Sequence, residues 1–539
     1  MSGILDENMK SFLLNGFKRV IPFIFIAIFG GTVFLTSSKF NNEVNAIKYY
    51  FLTICLLTIL LAVIINGGDM RKIASSFTYA FFYGLFCVGS VECIYVVGQY
   101  LTATRNTLYP WAITGTFENS VGVISNLTLL YPLGLLWQER NNGWKRTVVV
   151  FQLLLYVFVI YICKSRTGLL AIVLSTFVFY FVEKEPFRKF IFKPYVIIGL
   201  VVLISLLCVC ALCWKVDSTN GRILVWKVCL NIIKERPLLG YGWDGFTANY
   251  MLEQANYFMR NPDSQYAILA DNTSTPFNCF IHVAIISGCV GLLCLIGTLT
   301  LLCYRMSRTL AANKAVWFGI MASLLSMSMF TYPFHYAPVW FITLFWMLYP
   351  MRDMLPSKMR ISVRVLIACI IGCCLLGVNH MILNELRWKW VQDKSFKEGM
   401  TYSMLKCYKQ LYPHLHYNKH FLYNYGAELN YCGYYAESRQ IMDECMKKLN
   451  NYDVQLVQAD NYYHMGDTLL AINSYETASM MIPCRFIPLD GLLDIYKTQN
   501  DMEKAIYMAK RIIDKPVKVP SDIVQEIKRE AFLFYSNNQ

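Results

Sequence analysis

The chain has 539 residues, 56% of them hydrophobic and only 16% charged, with a mean hydropathy of +0.40. Soluble domains carry roughly 25% charged residues, so this composition excludes an ordinary soluble protein and describes a polytopic membrane protein. The net charge of +14 comes without any basic stretch interleaved with stacking aromatics, which excludes a nucleic-acid surface and assigns the lysines and arginines to loops that orient membrane spans.

Residues 1–20 contain acidic side chains and no small-residue cleavage site, so the first apolar run is expected to remain as a span. Eleven apolar runs read as spans of ~30 Å of hydrocarbon, the tenth a short one paired closely with the ninth: 20–37, 48–66, 77–98, 120–137, 147–163, 167–182, 195–214, 277–303, 315–331, 338–350 and 364–383. Every second loop is basic: Lys18 and Arg19; Arg71 and Lys72; Arg140, Lys145 and Arg146; Lys184, Arg188, Lys189 and Lys193; Arg305, Arg308 and Lys314; Arg352, Lys358, Arg360 and Arg364. The excess of positive charge on cytoplasmic loops then puts the N-terminus inside. Loops 99–119, 164–166, 215–276 and 332–337 face outward, with everything after the last span. The expected fold is all-α: a membrane domain over 1–384 with one large outward loop at 215–276, and a helical domain over 385–539. Most of the 19 cysteines, such as Cys55, Cys208, Cys210, Cys369, Cys373 and Cys374, lie in apolar runs without metal spacing. They predict neither a zinc site nor a disulfide framework.

The C-terminal segment carries a repeat. Ala459, Gly466, Ala471, Tyr475, Ala478 and Pro483 fall at the spacing of a tetratricopeptide repeat, whose period is about 34 residues. Gly426 and Gly433 match one repeat earlier; Asn500, Ala505 and Ala509 match less well one repeat later. Such a stack predicts a surface for partner binding or assembly; a generic helical bundle is the competing reading.

Polar residues that could do chemistry gather on the outward side. Glu92 sits in the outer half of the third span, where an ionisable group is costly; it either pairs with a base, takes up a proton, snorkels outward, or bonds structurally. Lys164, Ser165 and Arg166 form a tight turn between the fifth and sixth spans, and Arg222 lies near the start of the large loop. Guanidinium groups offer a planar fork for phosphate oxygens, and two of them suit a diphosphate. The run GYGWDG, with Gly240, Gly242, Asp244 and Gly245, allows a tight backbone with N–H groups open to an anion, but is neither a Walker loop nor a dinucleotide fingerprint. Glu118 and Asn119 precede the fourth span, and His335 lies between the ninth and tenth. Asn278 and His282 share one face of the eighth span, where Gly288 and Gly291 permit close helix packing.

These pieces, namely GTFENS at 115–120, KSRTGLLA at 164–171, GRILVW with PLLGYGWDGF at 221–246, and FNCFIHVAIISGCVG at 277–291, resemble the O-antigen ligase and polymerase family of bacterial envelopes. The resemblance runs over about 100–350 and implies a metal-independent glycan transferase without cofactors, at the periplasmic face of the inner membrane. Its donor would be an oligosaccharide on a polyprenyl diphosphate, held by Arg166 and Arg222. The acceptor would be a lipid core, a growing glycan or a protein hydroxyl. Ligases of this family have a histidine directly before the motif asparagine, where this chain has Phe277. His282 is about 140° further around the helix at ~100° per residue, so it does not simply replace that histidine; the candidate catalytic groups are His282, His335, Glu118 and Asp244, unless the acceptor needs no strong base or the chemistry is altered. A polysaccharide flippase and a non-catalytic envelope scaffold are the competing readings.

Overall fold

The computed structural model describes residues 20–65, 77, 79–102, 113–193, 216–308, 313–348, 351 and 359–538. Among these the chain is helical, with no strand. Seven helices are long and apolar enough to cross a membrane: α2 (Asn45–Ile65), α3 (Tyr79–Thr102), α4 (Ser120–Arg140), α5 (Trp144–Ile162), α6 (Arg166–Glu183), α10 (Cys279–Arg308) and α13 (Ile361–Glu398). Three apolar helices are shorter: α1 (Val20–Phe34), α11 (Lys314–Phe330) and α12 (Ala337–Leu348). Each of the ten overlaps a predicted span. The predicted span at 195–214 lies outside the described residues, as do Lys18, Arg19, Arg71, Lys72, Arg352 and Lys358. Between the long helices run α7 (Glu185–Ile191), α8 (Val216–Glu235) and α9 (Gly245–Arg260).

The chain forms two compact units, Met1–Leu207 with Ile296–Lys389, and Cys208–Leu295 with Trp390–Gln539. In the first, α4 is the hub. Its side chains from Gly122 to Leu136 are buried without interruption, so it is enclosed by protein on all sides. Its polar side chains Ser125, Asn126 and Thr128 are fully buried with it. Gly319 of α11 lets that helix close on Pro132 of α4 and Ser175 of α6, where an added Cβ would stand 3.1 and 3.3 Å from them.

In the second unit the loop helices and the C-terminal helices share one core. Leu224 and Val228 of α8 and Phe246, Tyr250 and Met251 of α9 pack with Tyr452, Ala478, Met481 and Ile482. The C-terminal part is a series of helix pairs: α14 (Tyr402–Leu415), α15 (Lys419–Tyr431), α16 (Tyr435–Met446), α17 (Tyr452–His464), α18 (Thr468–Met481), α19 (Ile487–Thr498), α20 (Met502–Asp514) and α21 (Asp522–Asn537). α15, α17 and α19 begin at 419, 452 and 487, steps of 33 and 35 residues. The turns between partners pass through left-handed backbone at Gly433 (φ 81°), Gly466 (φ 84°) and Asn500 (φ 59°). Asn500 is thus the third member of the same series, because asparagine tolerates this region better than most side chains. Ala459, Ala471 and Ala478 are fully buried, as close approach of paired helices requires.

α19 contains a titrating group. Burial, then the charges of Asp494 and Glu530, push the Asp490 carboxyl from 3.8 up to about 6, with Lys497 opposing. A raised carboxylate pKa means the folded state holds a proton that the unfolded chain releases, so stability falls as pH rises from about 4 to about 6. Asp490→Asn is expected to abolish that slope and to protect α19 and α20 at pH 7; hydrogen exchange of the full chain, corrected for intrinsic rate, checks it.

Candidate functional site

The predicted site residues fall into two groups, one in each unit. In the first unit the loop preceding α4 is held from three directions. Lys48 of α2 is fully buried, donates to the Thr116 carbonyl at 2.6 Å and lies 3.9 Å above the Phe117 ring. Glu92 of α3, also fully buried, accepts from the Thr116 amide at 2.9 Å and from its hydroxyl at 3.1 Å. Gln99 grips Gly115 through both its amide (2.9 Å) and its carbonyl (3.2 Å). Gly115 sits at φ 61°, and a Cβ there would overlap the Glu92 carboxylate. Glu92 bonds the loop at Thr116 and interacts electrostatically with Lys48.

Held this way, Glu118 and Asn119 project beside the segment 332–337. Asn119 caps α4 by accepting from the Val121 amide at 2.9 Å, accepts from the Tyr336 hydroxyl at 2.8 Å and donates to the Tyr332 hydroxyl at 3.1 Å. Glu118 lies 3.6 Å from His335 Nε2. Burial raises the Glu118 carboxyl, but hydrogen bonding and charge from His335, an Asn42 hydrogen bond and the Lys48 charge together hold it below its usual value. Glu118 is therefore an anion at neutral pH, placed to orient the His335 ring. Two of the four candidate catalytic residues thus meet.

The turn before α6 is built locally. Lys164 takes φ 52°, and Ser165 caps α6 by accepting from the Gly168 amide at 3.0 Å. Arg166 is the first helical residue. Gly168 brings this end against Ile124 of α4 and Ile160 of α5, within 2.5 and 2.8 Å of where a Cβ would sit.

In the second unit, Arg222 and Trp226 are one turn apart on α8 and face the same segment. The Arg222 guanidinium is 5.9 Å from the Phe277 ring centroid, and the Trp226 indole donates to the Pro276 carbonyl at 3.0 Å. Phe277 has φ 52°, a conformation costly for an aromatic residue. Asn278 follows and caps α10, accepting from the Phe280 amide at 2.9 Å and the Ile281 amide at 3.1 Å. The ring standing where ligases of the resembled family have histidine is therefore the one Arg222 faces. His282 packs edge-on to Phe246 at 6.0 Å. Asp244 is engaged by Lys419 of α15 at 2.9 Å, and Lys419 also reaches the Thr247 hydroxyl at 2.8 Å.

The glycines do something other than admit a second helix. α10 is broken at Gly288, which has φ 63° and ψ −164°. The carbonyls freed at Ile285 and Ile286 accept from Tyr241 (2.8 Å) and Gly242 (2.9 Å), while the amides freed at Cys289 and Val290 donate to Pro237 (2.8 Å) and Leu238 (3.3 Å). A Cβ on Gly288 would overlap the Leu238 carbonyl, and one on Gly240 would overlap the Ile285 carbonyl. Gly291 closes on Ser287 of its own helix. The expectation of helix–helix packing is replaced by a loop docked into a helix break. The amides of Tyr241 and Gly242 serve that docking instead of facing an anion.

Sequence reasoning passed over Lys48, Gln99, Tyr332, Tyr336 and Lys419. Lys48 left a signal, a charge at the edge of an apolar run. The tyrosines and Lys419 left none, because their role depends on contacts 170 or more residues away in sequence, as the separations of 217 for Tyr336 and 175 for Lys419 show. Lys48→Met is expected to cost about 1–3 kcal/mol by leaving a buried acceptor unpaired. Glu92→Gln in the same chain should add less than its single effect, since both side chains hold Thr116. Thermal unfolding of the single and double variants measures this.

The fold and these loops define a polytopic, all-helical membrane protein. Residues 151–296 match the model of the O-antigen ligase family, a span that includes Arg166, Arg222, Phe277 and the break at Gly288 in α10. That match indicates glycan transfer of the O-antigen ligase type in envelope polysaccharide assembly. No curated protein and no solved structure matches the chain.

Proposed function

We propose that the protein moves an oligosaccharide from a polyprenyl diphosphate to an acceptor hydroxyl at the periplasmic face of the bacterial inner membrane. The observation that carries this reading is the family match over 151–296, because it contains both arginines that the chemistry needs. In the proposed reaction the acceptor oxygen attacks the anomeric carbon, the bond from that carbon to the diphosphate oxygen breaks, and configuration inverts. Arg166 and Arg222 hold the diphosphate and the negative charge that grows on it, the role a divalent cation plays elsewhere. Fixed cations aimed at developing charge are among the largest contributions to catalysis. His335, oriented by the Glu118 carboxylate, receives the acceptor proton. Asp244 and His282 are engaged with Lys419 and Phe246, which favours the Glu118–His335 pair among the candidates. The eleven-span topology, with the N-terminus in the cytoplasm, belongs to this reading. So does a tetratricopeptide-like C-terminal stack, outside the membrane, that docks a protein partner.

The test is purified full-length protein in proteoliposomes with a fluorescent lipid-linked donor, and a lipid-core, glycan or peptide acceptor on the same face. Transfer is expected to increase the mass of one acceptor class and name it. Movement of label across the bilayer with no change in glycan mass would identify a transporter and end the proposal.

A further inference from the structure

The segment Pro237–Trp243 belongs to the long polar stretch by sequence, yet its backbone is bonded into an apolar helix. Arg305 is the first charged side chain met toward the C-terminal end of α10, and the 26 residues from Cys279 to Tyr304 contain none. Counting back 20 residues at 1.5 Å each covers about 30 Å of hydrocarbon and ends near Ile285. Gly288 therefore lies about 4–5 Å inside that boundary, three residues at 1.5 Å each. Pro237, Leu238, Tyr241 and Gly242 are hydrogen-bonded to residues 285–290, so they share its depth.

The side chains agree. Leu238, Leu239 and Trp243 are 67%, 76% and 83% exposed, too apolar a group for water. Val290 and Leu293 of α10 are exposed apolar residues too, and the Leu238 carbonyl accepts the Val290 amide directly. On the other side the exposed apolar surface ends in Lys234, Glu235 and Arg236, all exposed. An apolar patch continuous with a membrane helix, ended by charge and carrying a tryptophan, has the make-up of a bilayer interface.

We infer that Pro237–Trp243 is a re-entrant element seated in the leaflet nearest the 216–276 segment, with Leu238, Leu239 and Trp243 in contact with lipid. Irregular backbone survives at membrane depth only where its polar groups are paired; the break at Gly288 supplies those partners, and the loop in turn satisfies the groups the break exposes. The occupant of the patch is lipid rather than a soluble partner because the patch continues a surface that already faces lipid. This inference stands apart from the reaction proposed above.

A fluorescent amino acid introduced by codon suppression at Leu239, and separately at Trp243, tests it in full-length protein in nanodiscs. A third label at Asn261, an exposed turn of the same unit, is the aqueous control. Dibrominated phosphatidylcholine should quench the labels at 239 and 243 several-fold more than the one at 261, and aqueous iodide should do the reverse. Equal quenching of all three positions by iodide overturns the inference. So does protection of 239 and 243 from both quenchers, which would mean protein covers them.

Discussion

Arg222→Ala in the full-length protein is expected to lower glycan transfer by about 100- to 1,000-fold, the usual cost of removing one fixed group that meets developing charge, with accumulation in the membrane unchanged. Arg166→Ala should do the same, and the double variant should lose little more than either single one, since groups acting together on one leaving group are not additive. Arg222→Lys keeps the charge but loses the planar fork and should fall between. The loss should appear in turnover at saturating donor, because the charge to be held grows as the bond breaks. Phe277→Leu offers an independent check. It removes the ring 5.9 Å from the guanidinium, a contact worth about 0.5–2 kcal/mol, and should weaken transfer modestly by loosening Arg222. Wild-type rates in both arginine variants would leave the family match without its chemistry.

Much of the membrane part was legible from apolar run length alone, because a span must satisfy its own backbone and so must be a helix. Ten of the predicted runs are helices for that reason. Gly433 and Gly466 were legible as turn glycines for an equally local cause, and both take left-handed backbone. Asn500 takes the same region at φ 59°, which its letter signals less strongly than glycine does. What sequence could not show was pairing across distance. Glu118 and His335 were both candidates, but nothing in their neighbourhoods said that they meet, nor that Lys48 and Glu92 hold the loop that brings them together. The packing of α8 and α9 onto the C-terminal helices was equally hidden, since Tyr452 and Met481 look like any other repeat core residues. Gly288 was legible as a small residue but not as a helix break, because a glycine needed for φ 63° and a glycine needed for close helix packing are the same letter.

Gly288→Ala should therefore be among the most damaging single changes in the protein. Its backbone, at φ 63° and ψ −164°, is in a region essentially reserved for glycine, and a side chain there costs about 1–3 kcal/mol before any contact is counted. The added methyl would also overlap the Leu238 carbonyl, which is main chain and has no rotamer to escape into. Moving the loop away would strand the four backbone groups at Ile285, Ile286, Cys289 and Val290, each costing several kcal/mol without water to replace its partner. The expected result is loss of folded protein, not an inactive but stable variant. Gly240→Ala should behave the same way, for its Cβ meets the Ile285 carbonyl from the other side. Gly242→Ala separates strain from collision: it has φ 84° but nothing within 4 Å, so it should lose only about 1–2 kcal/mol from the left-handed backbone. Gly297→Ala, on the same helix with open space around it, should be neutral or slightly stabilising, by up to about 1 kcal/mol of helix propensity. Detergent-solubilised melting curves of the four variants rank them. An order in which Gly288→Ala melts with Gly297→Ala would mean that α10 runs unbroken and that the loop is not docked into it.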